Sequence, residues 1–145
     1  MDETATQSLD AFLQRVPYVR LLGMRVELAG DEMTAVLPFA NHLIGNPMLP
    51  ALHGGVIGAF MELTALAQLS LADPGRRVPK TIDITIEYLR SGRAQDTYAR
   101  AILRKVGRRV ANVQVEAWQD SRAQPIAGLT GHFLMRNEDS SPPSA

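Results

Sequence analysis

No cysteine occurs among the 145 residues. Its absence excludes disulfides, thiolate nucleophiles, zinc–thiolate sites and iron–sulfur clusters, and it accords with a reducing, cytoplasmic location. Net charge is absent as well: 15 Lys and Arg balance 15 Asp and Glu, which excludes a uniformly basic nucleic-acid binder. There is no G-x-S-x-G nucleophile motif and no Walker sequence. His42 and His132 have no second ligand at metal spacing and read as loop and strand residues, so neither metal nor cofactor is expected. The opening MDETATQSLD is acidic and polar, whereas a secretory leader needs a basic start and an apolar core, so no export is expected. The longest apolar run, Gly54 to Ala72, holds Glu62 near its middle and Gln68 beyond. A carboxylate at mid-bilayer costs roughly 2.5–3.5 kcal/mol, so the run reads as an enclosed helix of a globular protein and no membrane partner is expected.

What is present fits one domain of ordinary size, long enough to bury about two-thirds of its unfolded surface. Residues 8–16 place Leu9, Phe12, Leu13 and Val16 at helical spacing, with Ser8 or Asp10 as cap, and Pro17 is expected to end that short helix. Two alternating stretches, 23–28 and 33–37, flank a turn and read as a hairpin. Residues 38–52 hold three prolines, two asparagines and a glycine and read as one long loop. Residues 54–71 then run for five turns without proline, apolar on every face, which implies a helix enclosed by a sheet and by a second subunit. After Asp73-Pro74-Gly75 the period changes to two, with Ile82, Ile84, Ile86 and Tyr88 alternating with Thr81, Asp83, Thr85 and Glu87. Strands near 94–105, 108–119 and 125–135 follow. The expected class is α+β with an antiparallel sheet: an N-terminal helix and lead-in over 1–19, the main domain over 20–136 and a disordered tail over 137–145.

Glu62 is the one charged residue between His53 and Asp73. A buried carboxylate must be paired, wetted or shifted in pKa, so Glu62 is either a structural partner of a sheet arginine or an active-site base or nucleophile. His53-Gly54-Gly55 stands where the loop becomes the helix. The first turn of a helix offers unpaired N–H groups and a positive dipole end, and glycine lets a substrate oxygen come close. The sequence there is either an oxyanion site or simply an eased helix start. Gly54 and Glu62 are eight residues apart, about 12 Å along one helix at 1.5 Å per residue, so one carbonyl cannot touch both within a chain. Either they are unrelated, or the site takes Gly54 from one chain and Glu62 from another across a two-fold axis. Gly58, one turn before Glu62, would leave space beside the carboxylate.

Taken together, HGGVIGAFMEL with its acid nine positions after the histidine, TIDITIEYLRSGR and KVGRRVANVQVEAW resemble the hotdog-fold acyl-CoA thioesterases of the phenylacetate-pathway and 4-hydroxybenzoyl-CoA type, over roughly residues 20–135. That resemblance implies a long central helix wrapped by a curved antiparallel sheet, homodimers joined through a continuous sheet, and tetramers built as dimers of dimers. It implies hydrolysis of an acyl-CoA, with Glu62 as general base or nucleophile and the Gly54 N–H as oxyanion donor across the dimer interface. His53 corresponds to the histidine supporting that loop, and Thr81 to a hydroxyl residue beside the acid. The family's water-orienting Asn or Gln lies six residues before the histidine. Position 47 here is proline, and Asn46, seven before, takes that place. Ten Lys and Arg against three acids over 76–109 make a basic patch. Its Arg90, Arg93, Arg108 and Arg109 match turns near the mouth where CoA phosphates rest, a role suited to the planar guanidinium. Gly55 and the apolar Met48, Leu49, Leu52, Phe60, Met61 and Leu66 are candidate linings for an unspecified acyl chain, whereas Trp118 and Tyr88 read as packing residues. The competing reading is a non-catalytic acyl-CoA binding or sensor module on the same scaffold, which keeps the pocket but does not need an ionised Glu62.

Overall fold

Proline at the first position of a helix loses no hydrogen bond and arrives with a helical φ. Pro17 acts in this way: in the computed structural model, which describes residues 3–73 and 77–136, it opens a second helix instead of only ending the first. Helix α1 spans Glu3–Leu13 and α2 spans Pro17–Leu22. Gly23, at φ 76°, closes α2 by returning its N–H to the Val19 and Arg20 carbonyls. Leu13, Val19, Leu22 and Met24 are buried in the same core as the rest of the chain. The expected tail, 137–145, lies outside the described residues.

Strands β1 (Arg25–Ala29) and β2 (Glu32–Leu37) form the expected hairpin, with Gly30 at φ 64° in its turn. Residues 38–52 are more ordered than a loop. A 3₁₀ turn at Asn41–Leu43 leads into a small antiparallel ribbon, β3 (Ile44–Asn46) with β4 (Ala51–Leu52), and the prolines at 47 and 50 fall between its strands. Helix α3 runs from Gly54 to Ala72. It buries Ile57, Phe60, Met61, Ala65 and Leu69 against β2 and the four strands that follow it. Buried Thr64 satisfies its hydroxyl on the Phe60 carbonyl, 2.7 Å away. By length and composition α3 would suffice to cross a membrane, yet it lies along the sheet as its central helix.

Those strands are β5 (Val78–Tyr88), β6 (Thr97–Val106), β7 (Val110–Trp118) and β8 (Ala127–Arg136). The six long strands form one antiparallel sheet in the order β1-β2-β6-β7-β8-β5. Alternation along β7 and β8 turns Ala111, Val113, Val115, Leu129, Phe133 and Met135 toward α3 and leaves Asn112, Gln114 and His132 on the outer face. At the far end, Arg77 clamps three elements. Its guanidinium binds Asp73 just past α3, at 3.0 Å, and the Gly107 and Arg108 carbonyls in the β6–β7 turn. The Asp73 hydrogen bond and charge raise the Arg77 pKa above its ordinary value, so this clamp stays charged until strong alkali. A long helix wrapped by a curved antiparallel sheet, with an N-terminal helix before it, is the hotdog-like single domain expected.

One strand departs from its expected period. A bulge between Thr81 and Asp83 breaks the alternation of β5, so Ile82 is 53% exposed while Thr81, Ile84 and Ile86 all turn toward α3. Strict alternation would have put Thr81 and Ile84 on opposite faces.

Candidate active site

Glycine is a poor helix former, and the first turn of α3 is held by compensating bonds. His53 is the N-cap, in extended conformation (φ −62°, ψ 131°), and its Nδ1 accepts the Gly55 N–H at 2.9 Å. The His53 N–H donates to the Leu43 carbonyl, and its own carbonyl accepts from Val56 and Ile57. A Cβ on Gly45 of β3 would lie 2.6 Å from the His53 Cα, a backbone atom that cannot yield, so only glycine lets β3 pass here. Among the described residues no acceptor faces the Gly54 N–H. That free donor sits at the positive end of a 19-residue helix.

Two turns along α3, half-buried Glu62 receives a hydrogen bond from the Thr81 hydroxyl, Oγ1 to Oε2, at 2.7 Å. The β5 bulge aims Thr81 at this carboxylate. No ion pair involves Glu62 among the described residues, so the alternative of a structural pairing with a sheet arginine is not realised. One carboxylate oxygen is thereby fixed and the other left for a second partner. The space beside Gly58 is not open: a Cβ there would meet Ile86 Cδ1 at 2.6 Å and the Tyr88 hydroxyl at 3.5 Å. Gly54, Gly58 and Glu62 form a stripe facing Tyr88, Ile86 and Thr81 of β5. The structure therefore makes two clusters, His53–Gly54–Gly55 and Glu62–Thr81, about 12 Å apart along the helix.

The other candidates are distributed around these clusters. Asn46 is exposed, and its side chain accepts the Met48 N–H at 2.9 Å within its own turn. Met48, at 89% exposure, and Leu49 project from the β3–β4 turn, whereas Leu52, Phe60 and Met61 are buried in the core. Gly55 is exposed. Arg90 donates to the Pro125 carbonyl and Arg93 pairs with Asp120, so both near the start of α3 are engaged within the chain. Arg108 and Arg109, at the opposite end, line a cleft of about 670 Å³ with Lys105, Asn112 and His132. It opens on the face of the sheet turned away from α3. There His132 Nδ1 lies 2.8 Å from Asp83, and its Nε2 lies 3.3 Å from Asn112. His42 bonds the Leu21 carbonyl, and no cluster of metal-ligating side chains occurs among the described residues.

Sequence reasoning missed Tyr88. Half exposed, it donates its hydroxyl to the Gly54 carbonyl at 2.7 Å. The available signal was a pair of glycines four residues apart on a helix, with an aromatic ending the neighbouring strand.

A long central helix wrapped by an antiparallel sheet of this order makes the molecule a hotdog-like fold. The chain belongs to the thioesterase superfamily, whose family model matches residues 49–126, and it is an enzyme of that class. It is similar to the medium/long-chain acyl-CoA thioesterase YigI of Escherichia coli K12, with 30% identity over 91% of this chain and 96% of that protein. The Salmonella typhimurium counterpart is 29% identical over the same shares. Among solved structures, a Chromobacterium violaceum protein is 38% identical, with a TM-score of 0.73 over 91% of this chain and 92% of its own. A thioesterase of Haemophilus influenzae shares the fold at a TM-score of 0.83 and 20% identity, over 96% and 94% of the two chains.

Proposed function

We propose that the enzyme hydrolyses medium- to long-chain acyl-CoA thioesters to free acid and CoA, in the cytoplasm, as a homodimer or a dimer of dimers. The substrate range follows the YigI relatives. The arrangement of acid and glycine follows the phenylacetate-pathway and 4-hydroxybenzoyl-CoA type. The main domain, residues 20–136, needs no metal or cofactor, nucleic acid or membrane for this chemistry.

The observation that carries the reading is the stripe from Gly54 to Glu62 lying along β5, the sheet edge that has β8 on one side and no strand on the other among the described residues. This edge is 11 residues long and exposes Val78, Ile82 and Tyr88. An exposed, partly apolar edge of that length is a template for a second strand. Two copies of β5 paired antiparallel about a two-fold axis at Thr85 exchange their ends, the bulge bringing Thr81 into phase with the partner's Tyr88. Thr81 with Glu62 of one protomer then meets Tyr88 with Gly54 of its partner, which closes the 12 Å gap.

In that composite site Thr81 holds one oxygen of Glu62 and the other takes a proton from water as it attacks the thioester carbonyl carbon. The oxyanion receives the Gly54 N–H of the partner subunit, and collapse expels the CoA thiolate. Asn46 and His53 support the water and the helix start. Gly55, Met48, Leu52, Phe60 and Met61 border or back the acyl group. The same two-fold carries Arg90 and Arg93 of one protomer toward the Arg108–Arg109 turn of the other, and together they receive the CoA phosphates. A binding-only module would have no need of a base held by Thr81.

The test is thiol release over a panel of acyl-CoA esters from acetyl to long-chain and aromatic, free of background because the protein has no cysteine. Turnover of medium- and long-chain esters is expected, and silence across the whole panel would sink the reading. Reversing charge at Arg108 and Arg109 together is expected to raise KM for acyl-CoA about tenfold or more, as for lost charge-assisted contacts. Turnover of the matching acyl-pantetheine, which lacks the nucleotide, should not move. An unchanged KM for acyl-CoA removes both arginines from the phosphate site.

A further inference from the structure

We propose that Tyr88 is a positioning residue for the oxyanion peptide. This rests on the reading of Gly54 as oxyanion donor, and it gives a role to a residue that the sequence marked only for packing. Two peptide units flank the Gly54 Cα. In the His53–Gly54 unit, the carbonyl is taken by the N–H groups of Val56 and Ile57 at 3.0 and 3.2 Å. In the Gly54–Gly55 unit, the N–H is taken by His53 Nδ1 at 2.9 Å, and the carbonyl, which also accepts the Gly58 N–H within the helix, receives the Tyr88 hydroxyl at 2.7 Å. Three of the four polar groups are thus fixed, and the one left over is the Gly54 N–H. Glycine has no Cβ to restrict its φ and ψ, so at Gly54 these bonds replace the usual steric restraint.

Tyr88 is itself well anchored. It is the last residue of β5, opposite Ala127, and the next two N–H groups, of Leu89 and Arg90, both donate to the Ile126 carbonyl. Its ring tip sits in the notch left by Gly54 and Gly58. A Cβ at Gly54 would be 3.4 Å from its Cε1 and Cζ, and one at Gly58 would be 3.5 Å from its hydroxyl. The residue is 55% exposed in the protomer, so burial of its ring is not what it supplies. What the phenol adds over phenylalanine in the same notch is one directed bond to the Gly54 carbonyl. A donor stabilises a developing oxyanion to the extent that it is already oriented. The donor N–H lies in the adjoining His53–Gly54 unit, joined to this one only through the Gly54 Cα, so without the hydroxyl the Gly54 φ and ψ lose their tie to β5 and the donor its fixed aim.

Tyr88→Phe tests this with the ring retained. The expected result is a fall in kcat of about tenfold with KM within about twofold, the signature of an interaction made in the transition state, and an unchanged melting temperature. The second arm combines it with Gly54→Pro, which removes the N–H on which Tyr88 acts. In that background Tyr88→Phe should have no further effect on kcat, since both changes remove the same contribution. An unchanged kcat in the single variant, a rise in KM alone, or a full further loss in the Gly54→Pro background would each overturn the proposal. Glu62→Gln runs beside them: if it too leaves kcat unchanged, the reading of the site has failed, whereas its loss alone places the failure with Tyr88.

Discussion

Glu62→Gln is expected to lower kcat by a factor of about 10²–10⁴, the range general-base catalysis contributes. Glutamine keeps the length and shape of the side chain, and its amide oxygen can still accept from the Thr81 hydroxyl now 2.7 Å from Oε2. The carboxylate is half-buried and makes no ion pair among the described residues, so neutralising it strands no partner and the fold should hold. What is lost is the capacity to take a proton from water. Steady-state thiol release gives kcat and KM separately, and KM should stay close to the wild-type value because the contacts to the CoA half are untouched. A fall of less than tenfold would return Glu62 to a structural role.

Gly54→Pro should cost about 10²–10³ in kcat, comparable to removing an oxyanion donor elsewhere. The backbone accepts the substitution at this position, and its Cβ comes into ordinary van der Waals contact with the Tyr88 ring at 3.4 Å. Proline is favoured at the first residue of a helix, and the N–H it deletes bonds nothing in the described protomer. His53 before it is already extended, at ψ 131°, as a residue preceding proline must be. The decisive experiment mixes this variant with Glu62→Gln. If sites form across the two-fold, a heterodimer has one site with both residues intact and one with neither. Random re-association of two nearly inactive parents then restores about a quarter of wild-type activity. If each site lies within one chain, mixing restores nothing. The rate after unfolding and refolding the variants together, against the variants refolded apart, distinguishes the two.

Much of this was written in the local sequence. Helix α3 declared itself by length and by apolar residues on every face, and its start by His53-Gly54-Gly55. The sheet strands were legible through their period of two. Four features were not. Pro17 reads as a stop, although the same residue is well suited to open a helix, and only the burial of Val19 and Leu22 in the core decides between the two. The ribbon of β3 and β4 depends on five residues meeting across a turn with two prolines, too short for any periodicity to register. The β5 bulge has no compositional mark either. Ile82 is as apolar as its neighbours and reads as inward-facing, yet it lies on the exposed side, and that slip turns Thr81 to Glu62. The Thr81 pairing came from the family resemblance, not from the alternation, which contradicts it. Tyr88 and Gly54 are 34 residues apart, and their bond depends on how the helix lies along the strand.

The unpaired edge of β5 has a thermodynamic side as well. If the reacting groups are divided between two chains, the number of working sites follows an association equilibrium and not the amount of folded protein. Well below the dissociation constant the total rate would scale with the square of enzyme concentration, and each chain would be an intact fold with no active site. Dilution would then act as a reversible off switch, and the cell's expression level would set specific activity as well as abundance.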